Sequence, residues 1–462
     1  MAVVSNSSNT PKASFDPSRN YTGPLTVITT LFFMWAVATN LNDILIPHLK
    51  KACNLTDFQS SFVQSAFFLG YFLLSLPAGM VIKKVGYKNG IIIGLVTCAV
   101  GSLLFIPAAE TRVYGVFLFA LCMIAGGIAF LQVAANPYVS ILGKPQTASS
   151  RLNLAQAFNS LGATLGPFIG AKLILSEVEK TADQLSAMSV TEMEAYRIAE
   201  ASMVKMPYLG LSLIFLAIAA LIFFSKLPEI QEEKEAVGGD EGSLKDVFKF
   251  KHCILGVIAI FMYVGAEVGI GSFIIRYMQF LQIPDIKIEF LNFSTTTDLT
   301  KTITEQNAAL FVSIYMFGAM IGRFVGSALM QKINPAKILA FNALMASLLA
   351  CMTVFSSGLT AVLMIVAIGL FNSIMFPTIF TLSINGLGKY TKYGSSLLIM
   401  AIVGGGVIPP VMGYISDVQN IQLAFLAPVV CYAYIFFFGW KGSKPSVVEV
   451  ESKEKEINAV PA

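Results

Sequence analysis

Apolar stretches of roughly 20 residues recur along this chain, each long enough to cross a lipid bilayer as a helix. Nothing else in the sequence constrains its fold as strongly. Backbone polar groups have no water to bond in hydrocarbon, so such stretches must be helical. Twelve candidates can be drawn, at approximately 25–48, 60–82, 90–108, 113–137, 153–175, 207–226, 252–280, 306–329, 337–356, 359–385, 394–416 and 421–440. The fifth, seventh, tenth and eleventh hold many polar or Gly residues and are placed partly by their position in the series. Only 13% of the 462 residues are charged and 55% are hydrophobic, against about one quarter charged in an ordinary soluble domain.

Basic residues set the expected orientation. With the N-terminus inside, the inner segments hold 20 Lys and Arg and the outer ones 9. Both termini are therefore expected in the cytoplasm, as an even number of spans requires. Residues 1–24 read as a disordered cytoplasmic N-terminus, 25–226 as a six-helix bundle, and 227–251 (LPEIQEEKEAVGGDEGSLKDVFKFK) as a cytoplasmic linker. Residues 252–440 read as a second six-helix bundle and 441–462 as a cytoplasmic tail. Long outer loops are expected at about 176–206 and 281–305. No ordered signal-peptide pattern opens the chain, so no cleaved leader is expected.

The halves look alike. LQVAANPYVSILG closes span 4 and LFNSIMFPTIFTLSINGLG closes span 10; setting Pro137 on Pro377 places Gln132 opposite Asn372. GPFIGAKL in span 5 parallels PPVMGYIS in span 11, Pro167 opposite Pro410 and Gly170 opposite Gly413. The expected fold is an all-α membrane protein, with twelve transmembrane helices in two pseudo-symmetric six-helix bundles. Parallel repeats of this kind place a ligand site near mid-membrane between the halves.

Several function classes are excluded. The net charge of +4 forms no basic stripe for nucleic acid, and the six cysteines include no CxxC pair. No P-loop, HExxH or post-strand GxGxxG appears, so no ATP-driven pump, metal or cofactor is expected.

Polar residues inside spans are costly and usually face a cavity or a partner. Asp43 is the sharpest case. Trp35, Thr39 and Asp43 follow at four-residue steps on one helix face, and Asn40 flanks the acid. Loss of hydration would move this carboxyl toward the range where it exchanges a proton. The alternative is a structural Asp near the membrane surface, close to His48, Lys50 and Lys51. Gln132 and Asn136 share a face of span 4 and offer donors and acceptors to a hydroxyl-rich solute such as a sugar. Asn153, Gln156 and Asn159 form a polar edge on span 5, Gln156 and Asn159 toward a cavity. For all of these, bonding between helices is the alternative. Glu267, with Tyr263 one turn earlier, is a second deep carboxylate in span 7, and Asn372 is a further substrate candidate. Trp35 offers a flat apolar face to a sugar ring or packs. Arg323 and the Lys83–Lys84 pair read as topology and gating residues, and Phe67, Phe68, Tyr71 and Phe72 as lipid or packing surface.

FFMWAVATNLNDILIPH, QSAFFLGYFLLSLPAGMVIKKVGYKNGI, QVAANPYVSILG and RLNLAQAFNSLGATLGPFIG resemble the fucose/proton symporter family of the major facilitator superfamily. YVGAEVGIGSFI, GRFVGSALMQKINPAKIL and FNSIMFPTIFTLSINGLG continue the likeness into the second half. The nearest branch is its glucose/galactose transporters. The resemblance implies uptake of a monosaccharide, glucose or galactose first, with fucose or N-acetylglucosamine, or drug export on the same fold, as alternatives. It implies a protonation site at Asp43. The fucose branch carries a Glu in span 4 within ETAANP, where this chain has Gln132, which cannot relay a proton. Asp43 then acts alone, or Glu267 takes part, or the coupling ion is Na⁺, for which a carboxylate among amides is suitable. Asn40, Gln156 and Asn159 match polar cavity positions. A multi-pass monomer in a plasma membrane, a bacterial inner membrane by expectation, is implied, with lipid, sugar and cation as its partners.

Overall fold

The computed structural model describes residues 21–53, 57–174, 188–225, 227, 243–289 and 294–445. Ten helical stretches among them are long and apolar enough to cross a membrane. Two further passes complete the expected twelve. The helical stretch Asp57–Leu103 is interrupted at Gly86, whose φ of 82° and ψ of 171° are not helical. An added Cβ on Gly90 would fall 2.6 Å from Ile82 Cγ1, a meeting that only a chain reversal at Gly86 allows. Spans 2 and 3 are thus the two arms of this hairpin. Span 5 is Ala148–Ile174, whose first half carries Arg151, Asn153, Gln156 and Asn159.

Span 1 is Thr22–Ala52, span 4 Tyr114–Ile141 and span 6 Lys205–Phe224. Spans 7, 8 and 9 are Lys251–Phe280, Glu305–Leu329 and Pro335–Phe355. Span 10 is broken into Gly358–Asn372 and Met375–Ile384, and span 11 into Thr391–Met400 and Gly404–Val418. Span 12 comprises Ile421–Ala424 and Leu426–Phe437. The end where span 1 begins is called proximal below, and the other end distal.

Membrane exposure explains the surface. Leu69, Phe119, Leu213, Phe223, Phe341, Leu363 and Val430 are each more than half exposed, a coat no water-facing surface would carry so widely. Hydroxyls within the spans bond back to their own helices, as Thr39 does to the Trp35 carbonyl (2.9 Å) and Ser102 to that of Cys98 (2.9 Å). Small residues then let helices close up. An added Cβ on Gly162 would overlap the Phe33 carbonyl oxygen, so spans 1 and 5 touch backbone to backbone.

Two distal segments expected as loops carry regular structure. Val190–Met203 is a helix, opened by a capping box in which Ser189 N donates to Glu192 Oε2 (2.8 Å) and Glu192 N to Ser189 Oγ (3.3 Å). The S-V-T-E signature was present in the sequence. Pro284–Glu289 (β1) pairs antiparallel with Ser294–Thr302 (β2), the latter a β-branched threonine run suited to a strand. Asp285 Oδ1 accepts from Asn307 Nδ2 (2.6 Å) and Thr304 N (3.3 Å), pinning this hairpin to the start of span 8.

The distal helix is tied to Phe105–Thr111 and the turn after it. Arg112 Nη2 lies 2.5 Å from Glu194 Oε1, and Lys205 Nζ lies 3.3 Å from Glu110 Oε1. The hydrogen bond from Arg112 holds the exposed Glu194 carboxyl below its ordinary range. A depressed folded-state value adds stability above the unfolded value, and this stability is lost as pH falls through the folded one. Thermal melts of Glu194→Gln should therefore match the parent below the folded-state value, where the pair is already lost. The variant should trail slightly at neutral pH, where surface pairs contribute little.

The two halves meet at the proximal end. Ser149 Oγ lies 2.6 Å from Thr381 Oγ1. Ser150 Oγ donates to the Ser327 carbonyl (2.7 Å), and Ser327 Oγ to the Ser150 carbonyl (2.9 Å). Lys83 Nζ sits 5.3 Å over the Tyr393 ring and Lys392 Nζ 5.1 Å over the Tyr87 ring, a reciprocal cation–π pair between the hairpin of spans 2 and 3 and the start of span 11. Gly79 faces Ser396 so closely that an added Cβ would overlap its hydroxyl. Further along, span 2 also meets span 11, where Phe68 stands against Gly405 and Gly406, whereas no extensive packing joins span 1 to the second half among the described residues.

Candidate functional site

Each half buries an amide against a tyrosine. Gln132 Nε2 on span 4 donates to Tyr71 Oη on span 2 at 2.8 Å. Asn372 Nδ2 on span 10 donates to Tyr315 Oη on span 8 at 2.6 Å. The repeat alignment of Gln132 with Asn372 thus has a structural counterpart, down to the helices involved. Gln132 is 8% exposed and Asn372 0%. Tyr71, read from the sequence as lipid or packing surface, is buried and is the polar partner of Gln132, while Phe72 is 42% exposed. An amide in an apolar helix needs a partner, and that need was the available signal for both tyrosines.

Some donor and acceptor capacity is left over. Neither amide atom of Asn136 has a hydrogen-bond partner, nor does Asn372 Oδ1 or Tyr432 Oη. Tyr432 lies close enough to Asn372 to feel its amide, without hydrogen-bond geometry. These buried groups are available to a ligand or to a rearranged state.

Span 5 presents Gln156, Asn159 and Ser160 to spans 1 and 8. Gln156 is buried, and Ser160 Oγ donates to its carbonyl at 3.1 Å. Asn159 Nδ2 donates to the Phe32 carbonyl of span 1 at 2.9 Å, so its amide nitrogen serves contact between helices, and the residue stays partly exposed. Trp35 is 3% exposed and its ring packs on Phe32, centroids 4.1 Å apart. Span 1 continues as helix past Asp43, but the side chains of Asn40 and Asp43 lie outside the described residues.

The second half holds the deep carboxylate whose side chain is described. Tyr263 Oη donates to Glu267 Oε1 at 2.7 Å, and Arg323 Nη2 stands 3.9 Å from the same oxygen. Glu267 keeps 23% of its side chain exposed. Among the described residues no group of three or more His, Cys, Asp or Glu stands close enough to hold a metal ion.

Two matched half-bundles, joined at one end and carrying amides, tyrosines and a carboxylate inside, define a membrane transport protein. The chain belongs to the Major Facilitator Superfamily, which residues 27–392 match. It is 48% identical over 427 residues to a glucose/galactose transporter of Brucella abortus, covering 92% of this chain and 95% of that one. It is 41% identical over 426 residues to the L-fucose-proton symporter of Escherichia coli, covering 91% and 93%. Among solved structures, a crystal structure of a point variant of the E. coli fucose:proton symporter FucP superposes with a TM-score of 0.81 at 40% identity, covering 91% of this chain and 98% of that one. A FucP structure in the outward conformation gives the same score and identity, with 91% and 99% covered. The fold is the twelve-helix, two-bundle fold expected from the sequence, and the chain is a multi-pass transporter.

Proposed function

We propose that this protein imports a monosaccharide, glucose or galactose first, together with a proton or Na⁺, by alternating access. The observation that carries this reading is the amide–tyrosine pair repeated in both halves. Neutral donors and acceptors suit sugar hydroxyls, and they bind no charged solute strongly. The names of the related proteins support the same substrate class. The basic-residue bias assigns the proximal end to the cytoplasm, which makes the arrangement described one that is closed inward. The same bias supports both termini inside, and the bacterial organisms of the related proteins support a bacterial inner membrane.

In the proposed cycle, a cation meets Asp43, with Glu267 as the second acidic group. The sugar then contacts Gln132, Gln156, Asn159 and Asn372, with Trp35, Asn40, Asn136 and Tyr263 around them. Neutralising Asp43 lowers the cost of closing the distal path over it, because a buried unpaired charge is costly. Sugar uptake into proteoliposomes under imposed proton or Na⁺ gradients, applied separately, tests the whole reading. If neither gradient drives accumulation of any hexose, the reading fails. Asp43→Asn should abolish accumulation against a gradient while leaving sugar counterflow in place. Concentrative uptake by that variant would remove Asp43 from coupling.

A further inference from the structure

Arg323, on span 8, faces three other helices. Pro377 in span 10 has no N–H to offer the carbonyl four residues back, that of Ser373. Arg323 Nε, from span 8, donates to this freed oxygen at 2.8 Å. Arg323 Nη1 donates to Ser160 Oγ on span 5, in the opposite half. Arg323 Nη2 faces Glu267 Oε1 on span 7 at 3.9 Å. One planar guanidinium thus addresses a carbonyl and a carboxylate of its own half and a hydroxyl of the other. The planar guanidinium holds its donors in a fixed fork, a geometry that the compact, rotating donors of an ammonium do not reproduce.

The surroundings fix the fork in place. Gly322 lets span 8 approach span 10 so closely that an added Cβ would overlap the Ser373 hydroxyl. Phe158 and Phe324 pack edge to face across the interface between spans 5 and 8, ring centroids 6.1 Å apart. The arginine side chain is 12% exposed, so its charge leans on its partners more than on water. Among the described residues, the ionisable side chains near Glu267 include Tyr263 on its own helix, Arg323 and Tyr315 from span 8, and Tyr432 from span 12. Arg323 is the one cation in that group.

We propose that Arg323 is a positioning residue that couples the charge on Glu267 to closure of the proximal end, a role that rests on the alternating-access reading above. With Glu267 charged, the guanidinium is compensated in its partly buried place and its bond to Ser160 draws the halves together. When a cation neutralises Glu267, the arginine loses its countercharge. A buried charge without its partner disfavours the arrangement that buries it. The proximal contact then loosens, and Arg323 gains access to water. Occupancy of an acidic site in one half is thereby passed to the interface between halves.

A double-mutant cycle tests this. Full-length protein carrying Ser149→Cys in proteoliposomes is exposed to a membrane-impermeant maleimide from the proximal side, without sugar. The parent, which keeps its six natural cysteines, serves as the blank. Glu267→Gln should raise the labelling rate about tenfold, within the usual range of coupling between sites. Arg323→Gln should raise it as well, and Glu267→Gln should then add nothing. Arg323→Lys should behave like Arg323→Gln, since it keeps the charge and loses the fork. Independent, multiplying effects of the two substitutions, or parent-like labelling in Arg323→Gln, would overturn the proposal. If Arg323→Gln does not fold, Ser160→Ala takes its place in the cycle, because it cuts the contact between halves and spares the partly buried ion pair. Labelling is read without sugar, so a parent that transports no hexose sinks the substrate reading and leaves the coupling result intact.

Discussion

A disulfide between Ser149→Cys and Thr381→Cys is expected to stop transport almost completely, and a reductant to restore it. The two hydroxyl oxygens lie 2.6 Å apart across the interface between span 5 and span 10. Side chains in such contact stand near the Cβ separation of roughly 3.5–4.5 Å that a disulfide needs. Thr381 Oγ1 also lies 3.0 Å from the Pro377 carbonyl and 3.1 Å from that of Thr378, so its direction is fixed. If sugar leaves by the proximal end, a covalent bond there holds the protein in one state of its cycle. Uptake should fall at least about a hundredfold on oxidation, whereas sugar binding from the distal side should persist. Uptake and equilibrium binding of labelled glucose, before and after reduction, check both statements. The natural cysteines 98, 253 and 431 are buried, and the parent treated with the same oxidant provides the comparison. Oxidised double variant transporting at the reduced rate would show that this end does not open during turnover.

How much of this was legible in the sequence depends on what each residue type can signal by itself. Apolar length announces a span directly, whereas the broken spans 10 and 11, rich in polar residues and glycine, were placed partly by their position in the series. A charge inside such a run is equally visible, so Asp43, Glu267 and Arg323 stood out at once. The partner of a polar side chain is a different matter. Gln132 was conspicuous, but Tyr71 lies in QSAFFLGYFLLSL among other aromatics, which by residue type alone read as lipid or packing surface. Only the fold shows that Tyr71 turns inward while Phe72 turns out. Arg323 looked like a topology marker because basic residues collect at inner helix ends. Its reach to Ser160, 163 residues away in the chain, is a property of the assembled interface. Pro377 was read as a repeat marker, and its physical consequence, a carbonyl left for Arg323, appears only when span 8 is laid beside span 10. The distal helix was missed for a plainer reason: the segment between spans 5 and 6 was read as a long outer loop, although the capping box that starts the helix is local and stands in the sequence.

Removing both members of the second-half pair separates a structural role from a sugar-binding one. Asn372 is fully buried with its nitrogen on Tyr315 Oη and its oxygen unpartnered. Asn372→Leu alone strands the Tyr315 hydroxyl, and a buried polar group left without a partner costs about 1–3 kcal/mol. Tyr315→Phe alone strands the amide nitrogen at a similar cost. Together, Asn372→Leu and Tyr315→Phe replace the pair with apolar groups of matching shape, which can be nearly neutral. The double variant should therefore melt close to the parent, above either single variant. Its transport should not recover. A sugar that loses a hydrogen bond in the bound state loses roughly tenfold in affinity for each 1.4 kcal/mol, and here both the amide and the phenol are gone. The expected result is a rise in apparent KM for glucose of about tenfold to a hundredfold with stability restored. A double variant that is both stable and normal in KM would assign this pair to helix packing alone, and would shift the search for sugar ligands to Gln132 and the face of span 5.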